Sequence, residues 1–81
     1  MPAYVTVNGI RYELSDHCLQ QMARRGIKKQ NIQSCLNHHQ VELIPRKGYA
    51  LCIADYSSGR RLQVVVNTED KVIVTVVWLT Q

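Results

Sequence analysis

The sequence of 81 residues contains no apolar run approaching the ~18 residues that a membrane-spanning helix requires. Its first residues, Met1-Pro2-Ala3-Tyr4, form neither a basic nor an apolar segment, so we expect no secretory signal. We therefore expect a cytoplasmic protein with no membrane partner. Because chains of about 100 residues usually fold as one unit, residues 1–81 are predicted to form a single domain.

Several motifs of enzymes and metal proteins are also absent. The sequence has no glycine-rich phosphate loop, no nucleophile elbow and no paired catalytic carboxylates. Cys18, Cys35 and Cys52 are far apart and form no CxxC pair, so we interpret them as small buried thiols in a reducing compartment. His38 and His39 follow a predicted helix without carboxylate or cysteine neighbours at ligand spacing. We expect no metal site and no cofactor.

The first 26 residues carry clear signals of local structure. Asn8-Gly9 separates the segments 4–7 and 10–14 and predicts a β-hairpin, because Asn-Gly favours the positive φ angles of a type I′ turn. Ser15 is a suitable N-cap for the helix that follows, since its hydroxyl accepts from unpaired backbone N–H groups. Gly26 suits the end of that helix, where a left-handed conformation is common.

The rest of the chain predicts a second helix followed by strands. Residues 28–37 show apolar positions at helical spacing. Four segments with strand character then follow, at residues 41–44, 49–55, 60–67 and 71–79. Short turns separate them, and one of these turns is at residues 57–59. We predict an α+β fold with an N-terminal β-hairpin, two short helices and a four-stranded antiparallel meander, with the helices packed on one face.

Alternation along the strands predicts which side chains the helices cover. The residues assigned to the covered face are Leu62, Val64, Val66, Val72, Val74, Val76 and Trp78, with Tyr49, Leu51 and Ile53 from the preceding strand. The small residues Ala50, Cys52 and Ala54 then lie on the open face beside Arg61 and Gln63, which predicts a shallow groove there. A one-residue bulge would exchange the two faces.

The charge of the chain favours an anionic partner. Ten Lys and Arg residues against six Asp and Glu give a net charge of +4. The basic residues cluster around the end of the first helix and at the strand boundaries: Arg24, Arg25, Lys28, Lys29, Arg46, Lys47, Arg60 and Arg61. Arginine is suited to phosphate because its planar fork meets two oxygens at once. The clustering therefore predicts RNA as a partner, although a solvated surface role is the alternative for each residue.

The predicted first helix and the residues just after it match most of the motif His-x-x-x-Arg-Met-x-x-Arg-Gly-Ile. The matching residues are His17, Met22, Arg25, Gly26 and Ile27. With the predicted order of elements, this motif resembles an uncharacterised family of the RelE/ParE-like toxin superfamily. The similarity covers roughly residues 12–78. Gln21 stands where that family has its first arginine, with Arg24 close by.

The resemblance implies a RelE-like fold and a metal-independent RNA endonuclease of a toxin–antitoxin pair. RNA, free or ribosome-bound, is then the substrate, and an antitoxin protein is a partner. Such cleavage needs an acid or base and a cation that stabilises the phosphorane, and we assign these catalytic roles to His17, Arg25 and Arg61. The further RNA-binding residues are predicted to be Arg24, Lys28, Lys29, Lys47, Arg60, Gln63 and Thr75.

Two other functions remain open. One is a non-catalytic module that binds RNA or a protein through its basic face, and Gln21 in place of the family arginine favours it. The other is a small accessory protein with no role in nucleic-acid chemistry, because a charge of +4 also occurs in such proteins.

Overall fold

The computed structural model describes residues 3–56 and 59–80 and contains two helices and one sheet. The elements are β1 (Ala3–Val7), β2 (Ile10–Leu14), α1 (Asp16–Arg25), α2 (Lys29–His38), β3 (Val41–Leu43), β4 (Tyr49–Asp55), β5 (Arg60–Asn67) and β6 (Val72–Thr80). The α+β class and the two helices are confirmed. Residues 57 and 58 of the predicted turn lie outside the described residues. Neither described helix has the length and apolar character needed to cross a membrane.

The sheet has six strands in the order β1-β2-β6-β5-β4-β3. Strands β3 to β6 pair antiparallel with their neighbours in the chain, whereas β2 pairs parallel with β6 through Glu13↔Val72 and Leu14↔Ile73. The result is one mixed six-stranded sheet that includes the hairpin, where the sequence predicted a four-stranded antiparallel meander. The parallel pairing joins segments far apart in the chain, and no local pattern signals it.

The predicted hairpin and caps are present. Asn8 and Gly9 have φ angles of 52° and 79°, as a type I′ turn requires. Ser15 caps α1 by accepting a hydrogen bond from the Cys18 backbone N–H at 3.0 Å. Gly26 ends α1 with a φ of 69°, in the left-handed region.

Both helices pack on the same face of the sheet. Their buried side chains are Cys18, Met22, Ile32 and Cys35. They contact a continuous core that the sheet supplies through Val5, Leu14, Cys52, Ala54, Leu62, Val64, Val66, Ile73 and Val76. The placement of the helices on one side, and of Leu62, Val64 and Val66 beneath them, is therefore confirmed.

In the first half of β6, the prediction of which side chains the helices cover is wrong. Val65 pairs with Thr75 and Val66 pairs with Ile73, so Val74 is an extra residue that forms a bulge. The bulge reverses the alternation before it. Ile73 is consequently buried with an exposed fraction of 0%, whereas Val72 and Val74 are only half-buried.

The predicted faces of β4 are reversed. Ala50, Cys52 and Ala54 are buried and pair with the covered residues Val66, Val64 and Leu62. Tyr49, Leu51 and Ile53 therefore lie on the opposite side, and the groove expected beside Arg61 and Gln63 is wrong. The physical reason is close approach of α2, whose Cys35 Sγ lies 3.4 Å from Cys52 O and leaves room only for small side chains.

Candidate functional site

The side chains of Tyr56, Arg60 and Trp78, together with the backbone carbonyl of Arg25, join the end of α1 to the start of β5 and the end of β6. The Trp78 indole Nε1 donates to Arg25 O at 3.1 Å. The Arg60 guanidinium carbon lies 4.3 Å from the centroid of the Trp78 ring. The Tyr56 ring meets Trp78 edge to face, with centroids 5.5 Å apart. We call Arg25, Tyr56, Arg60 and Trp78 the arginine–tryptophan cluster.

Strand register and hydrogen bonds hold this cluster in place. Trp78 lies opposite Leu62, so Arg60 is its diagonal neighbour on the same face of the sheet. The Tyr56 hydroxyl donates to Asn31 O at 2.9 Å, and the Tyr56 N–H donates to Arg60 O at 2.8 Å. The cluster is therefore anchored on both helices as well as on the sheet.

Gln21 orients the Arg25 side chain. Arg25 Nε donates to Gln21 Oε1 at 2.7 Å, one helical turn away on the exposed side of α1. Because an amide is neutral, the contact fixes the guanidinium without cancelling its charge. Gln21 thus gives the Arg25 guanidinium a defined direction and leaves its positive charge in place.

The chain segment that contributes Arg25 to the cluster contains no acidic residue. No Asp or Glu occurs between Asp16 and Glu42, whereas Arg24, Lys28 and Lys29 follow one another at the junction of the helices and are exposed. The first turn of α2 contains no acidic residue, and helix N-termini carry partial positive charge. This junction therefore presents positive charge to solvent.

Arg61, predicted as catalytic, and the predicted RNA-binding residues Lys47, Gln63 and Thr75 lie elsewhere. Arg61, Gln63 and Thr75 are on the open face of the sheet, which the helices do not cover. Arg61 Nε lies 2.8 Å from Asp55 Oδ1, so an acidic partner offsets its charge. Lys47 is exposed in the β3–β4 turn. The structure thus joins the Arg25 carbonyl and the Arg60 guanidinium through Trp78 and places these other residues elsewhere.

The expected catalytic residues do not form one constellation. His17 is exposed in the first turn of α1, and Arg25 ends the same helix about 12 Å away along its axis. Arg61 lies on the opposite side of the sheet from both. Their catalytic roles therefore stay predictions.

A second site is a cavity of about 410 Å³ between the hairpin turn, the end of α2 and strands β3 and β4. Its walls include Val7, Tyr12, Leu36, Ala50 and Val66. Cavities of this size with mostly apolar walls and a few converging polar groups are typical of ligand sites.

Three potential ligand residues converge in this cavity. His39 Nε2 lies 3.2 Å from Glu42 Oε1, and Glu42 is the cross-strand partner of Cys52. One ligand atom from each residue lies within 4.8 Å of the others. Burial raises the pKa of the Cys52 thiol to about 11, and the Glu42 charge adds to this effect. We call His39, Glu42 and Cys52 the cavity triad.

Neither grouping is predicted from the sequence. Trp78 is assigned only to the covered face of the sheet, and no carboxylate or cysteine is expected near His39. The spacing of His39 and Glu42 was a usable signal, since a helix end followed by a strand brings such residues close. Cys52 requires the β3–β4 register, which no local pattern fixes.

Comparison with known proteins places the chain in a family. Residues 14–78 match the family described as Domain of unknown function (DUF4258), and the chain belongs to that family. No curated protein matches the chain significantly, and neither does any solved structure.

Proposed function

We propose that this DUF4258 protein binds single-stranded RNA through the arginine–tryptophan cluster. The observation that carries the proposal is the Arg60 guanidinium held 4.3 Å from the centroid of the Trp78 ring. One face of the guanidinium contacts the indole, and its other face is a planar surface on which an unstacked base stacks. Ordering of Arg60 by Trp78 lowers the entropy lost when RNA binds.

The neighbouring cations supply the phosphate contacts of this proposal. Arg25 is oriented by Gln21, and Arg24 and Lys28 lie within three residues of it in the chain. A guanidinium held in this way forms bidentate hydrogen bonds to a phosphate. Proteins that bind single strands with little sequence preference usually stack on the bases and neutralise the phosphate backbone with basic side chains.

The test compares two adjacent arginines. Arg60 belongs to the cluster, whereas Arg61 points to the open face and pairs with Asp55. Loss of one base stack costs about 1–3 kcal/mol, so Arg60→Ala is expected to weaken RNA binding roughly 5- to 150-fold. Arg61→Ala has the same change of charge and is expected to weaken it less than about threefold. Fluorescence anisotropy of labelled single-stranded RNA measures both.

Salt and strand controls complete this experiment. Affinity should fall as salt rises, because phosphate contacts release counterions, and single-stranded RNA should bind better than a duplex. Equal losses for Arg60→Ala and Arg61→Ala would mean that binding depends on net charge alone. Absence of binding at low salt would remove the proposal.

A second candidate function is the toxin-like, metal-independent RNA endonuclease with an antitoxin partner. The resemblance of the α1 motif to the RelE/ParE-like toxins supports it, as does the exposure of the His17 ring in the first turn of the helix. In this function His17 transfers a proton and Arg25 contacts the phosphate. RNA cleavage in EDTA, with and without ribosomes, tests it.

The control for this second test is a neighbouring histidine. His17→Ala should lower the cleavage rate about 100-fold or more if His17 is the acid or base. His38→Ala removes another exposed imidazole, at the end of α2, and should leave the rate unchanged. Wild-type protein that binds RNA without cutting it would leave the binding module as the function.

A further inference from the structure

We propose that the cavity triad of His39, Glu42 and Cys52 binds a divalent transition-metal ion, with Zn²⁺ as the best fit to these ligands. The site goes beyond RNA binding, because the residues and the cavity differ from those of the arginine–tryptophan cluster. Imidazole nitrogen, carboxylate oxygen and thiolate sulfur are the three ligand types that Zn²⁺ takes in proteins. The sulfur and nitrogen ligands disfavour Mg²⁺ and Ca²⁺, which require oxygen.

The contacts of His39 fix the direction of its free nitrogen. Nδ1 lies 3.2 Å from Leu36 O, and because a carbonyl only accepts, Nδ1 must carry the proton in this contact. In a neutral ring the lone pair of Nε2 then faces Glu42 Oε1 at 3.2 Å. Two acceptors at this distance need a cation between them, either a proton on Nε2 or a metal ion. Backbone support of the second ring nitrogen is usual for histidine ligands of metals.

The distances suit tetrahedral coordination. Zn–N and Zn–O bonds of about 2.0–2.1 Å at tetrahedral angles place nitrogen and oxygen roughly 3.3–3.4 Å apart. The observed His39–Glu42 separation of 3.2 Å is close to this value. The sulfur should lie about 3.5 Å from each of them, and the three ligand atoms already lie within 4.8 Å of one another.

The backbone brings the ligands together before any ion binds. Glu42 and Cys52 are directly opposite on antiparallel strands, so their side chains project from the same face. His39 is the C-cap of α2 and precedes β3 closely. Three protein ligands leave a fourth position of a tetrahedral ion open, and the adjoining cavity of about 410 Å³ has room for water or a small anionic ligand there.

Metal titration of the chelator-treated protein tests the site. Co²⁺ should bind with a stoichiometry of one and give the visible bands of tetrahedral cobalt together with a thiolate charge-transfer band. Zn²⁺ should displace it. Losing an outer-shell partner costs roughly 10–100-fold in affinity, so His39→Ala, Glu42→Gln and Cys52→Ser should each weaken Zn²⁺ binding by more than that.

Three control variants change a histidine, a glutamate and a cysteine outside the cavity triad. His38→Ala, Glu13→Gln and Cys18→Ser change one residue of each ligand type, and none belongs to the triad. They should bind Co²⁺ and Zn²⁺ like the wild type. His39→Ala and Glu42→Gln are the decisive variants, because these side chains are 26% and 48% exposed and their loss should leave the fold intact.

Two results would overturn the metal site. One is a wild-type cobalt spectrum without a thiolate band, which would exclude Cys52 as a ligand. The other is Zn²⁺ binding that is absent in the wild type, or that is as strong in the His39→Ala and Glu42→Gln variants as in the wild type, which would leave a proton as the cation between these residues. Neither result depends on RNA binding, so the two proposals fail separately.

Discussion

Replacement of Ser15 by alanine should destabilise the fold at the point where α1 meets the bulge of β6. The Ser15 hydroxyl accepts from the Cys18 N–H at 3.0 Å and donates to Val74 O at 2.8 Å. Loss of a serine N-cap costs about 0.5–2 kcal/mol. The partly buried Val74 carbonyl would also lose its partner, which costs about 1–3 kcal/mol. We expect the free energy of unfolding to fall by about 2–3 kcal/mol.

That loss is large for a domain of this size. Stability of about 0.05–0.15 kcal/mol per residue gives roughly 4–12 kcal/mol in total, and a loss of about 2–3 kcal/mol lowers Tm by roughly 10–20 °C. Urea and thermal unfolding followed by circular dichroism measure it. Ser34→Ala, at an exposed position of α2, is the control and should change stability by less than about 0.5 kcal/mol. A Ser15→Ala variant as stable as Ser34→Ala would refute the two-bond interpretation.

Two further predictions concern the core and the cluster. Burial raises the pKa of Cys18 and Cys52 from 9.0 to about 11 and that of Cys35 to about 12. As pH rises, the unfolded chain therefore loses its thiol protons before the folded chain does. The contribution of the three buried thiols to stability is complete below pH 9.0 and declines above it. Iodoacetamide at neutral pH should modify the thiols of the native protein far more slowly than those of the unfolded protein. Trp78→Phe should cost about 1 kcal/mol of stability through the lost bond to Arg25 O, yet retain more RNA binding than Trp78→Ala because a ring remains beneath Arg60. Equal RNA affinities for the two Trp78 variants would argue against a supporting ring.

Signals confined to a few neighbouring residues predicted the local structure well. Asn8-Gly9, Ser15 and Gly26 each act through their own backbone and side-chain chemistry, so the hairpin turn and both ends of α1 follow from the sequence. The side of each strand that the helices cover was harder to predict. It depends on the extra residue at Val74 and on the approach of α2 to Cys52, which are properties of the packed sheet.

The same distinction applies to the candidate sites. Composition and clustering pointed to Arg25 and Arg60, and both residues contact Trp78, Arg25 through its backbone carbonyl and Arg60 through its guanidinium. Alternation already placed Arg61 on the open face of the sheet, but the contact of Arg60 with Trp78 and the pairing of Arg61 with Asp55 appear only in the structure. The cavity triad was not predicted, because Cys52 reaches Glu42 only through the register of two strands.

The emission of Trp78 during titration with single-stranded RNA reports directly on the proposed binding site, because Trp78 is the single tryptophan of the chain. If an RNA base stacks on Arg60 above Trp78, the Trp78 emission should change until the protein is saturated with RNA. The midpoint of this titration should equal the midpoint measured by anisotropy, and it should move to higher RNA concentration as salt rises. RNA that binds by anisotropy without altering the emission of Trp78 would place the interface elsewhere and contradict the arginine–tryptophan cluster as the binding site.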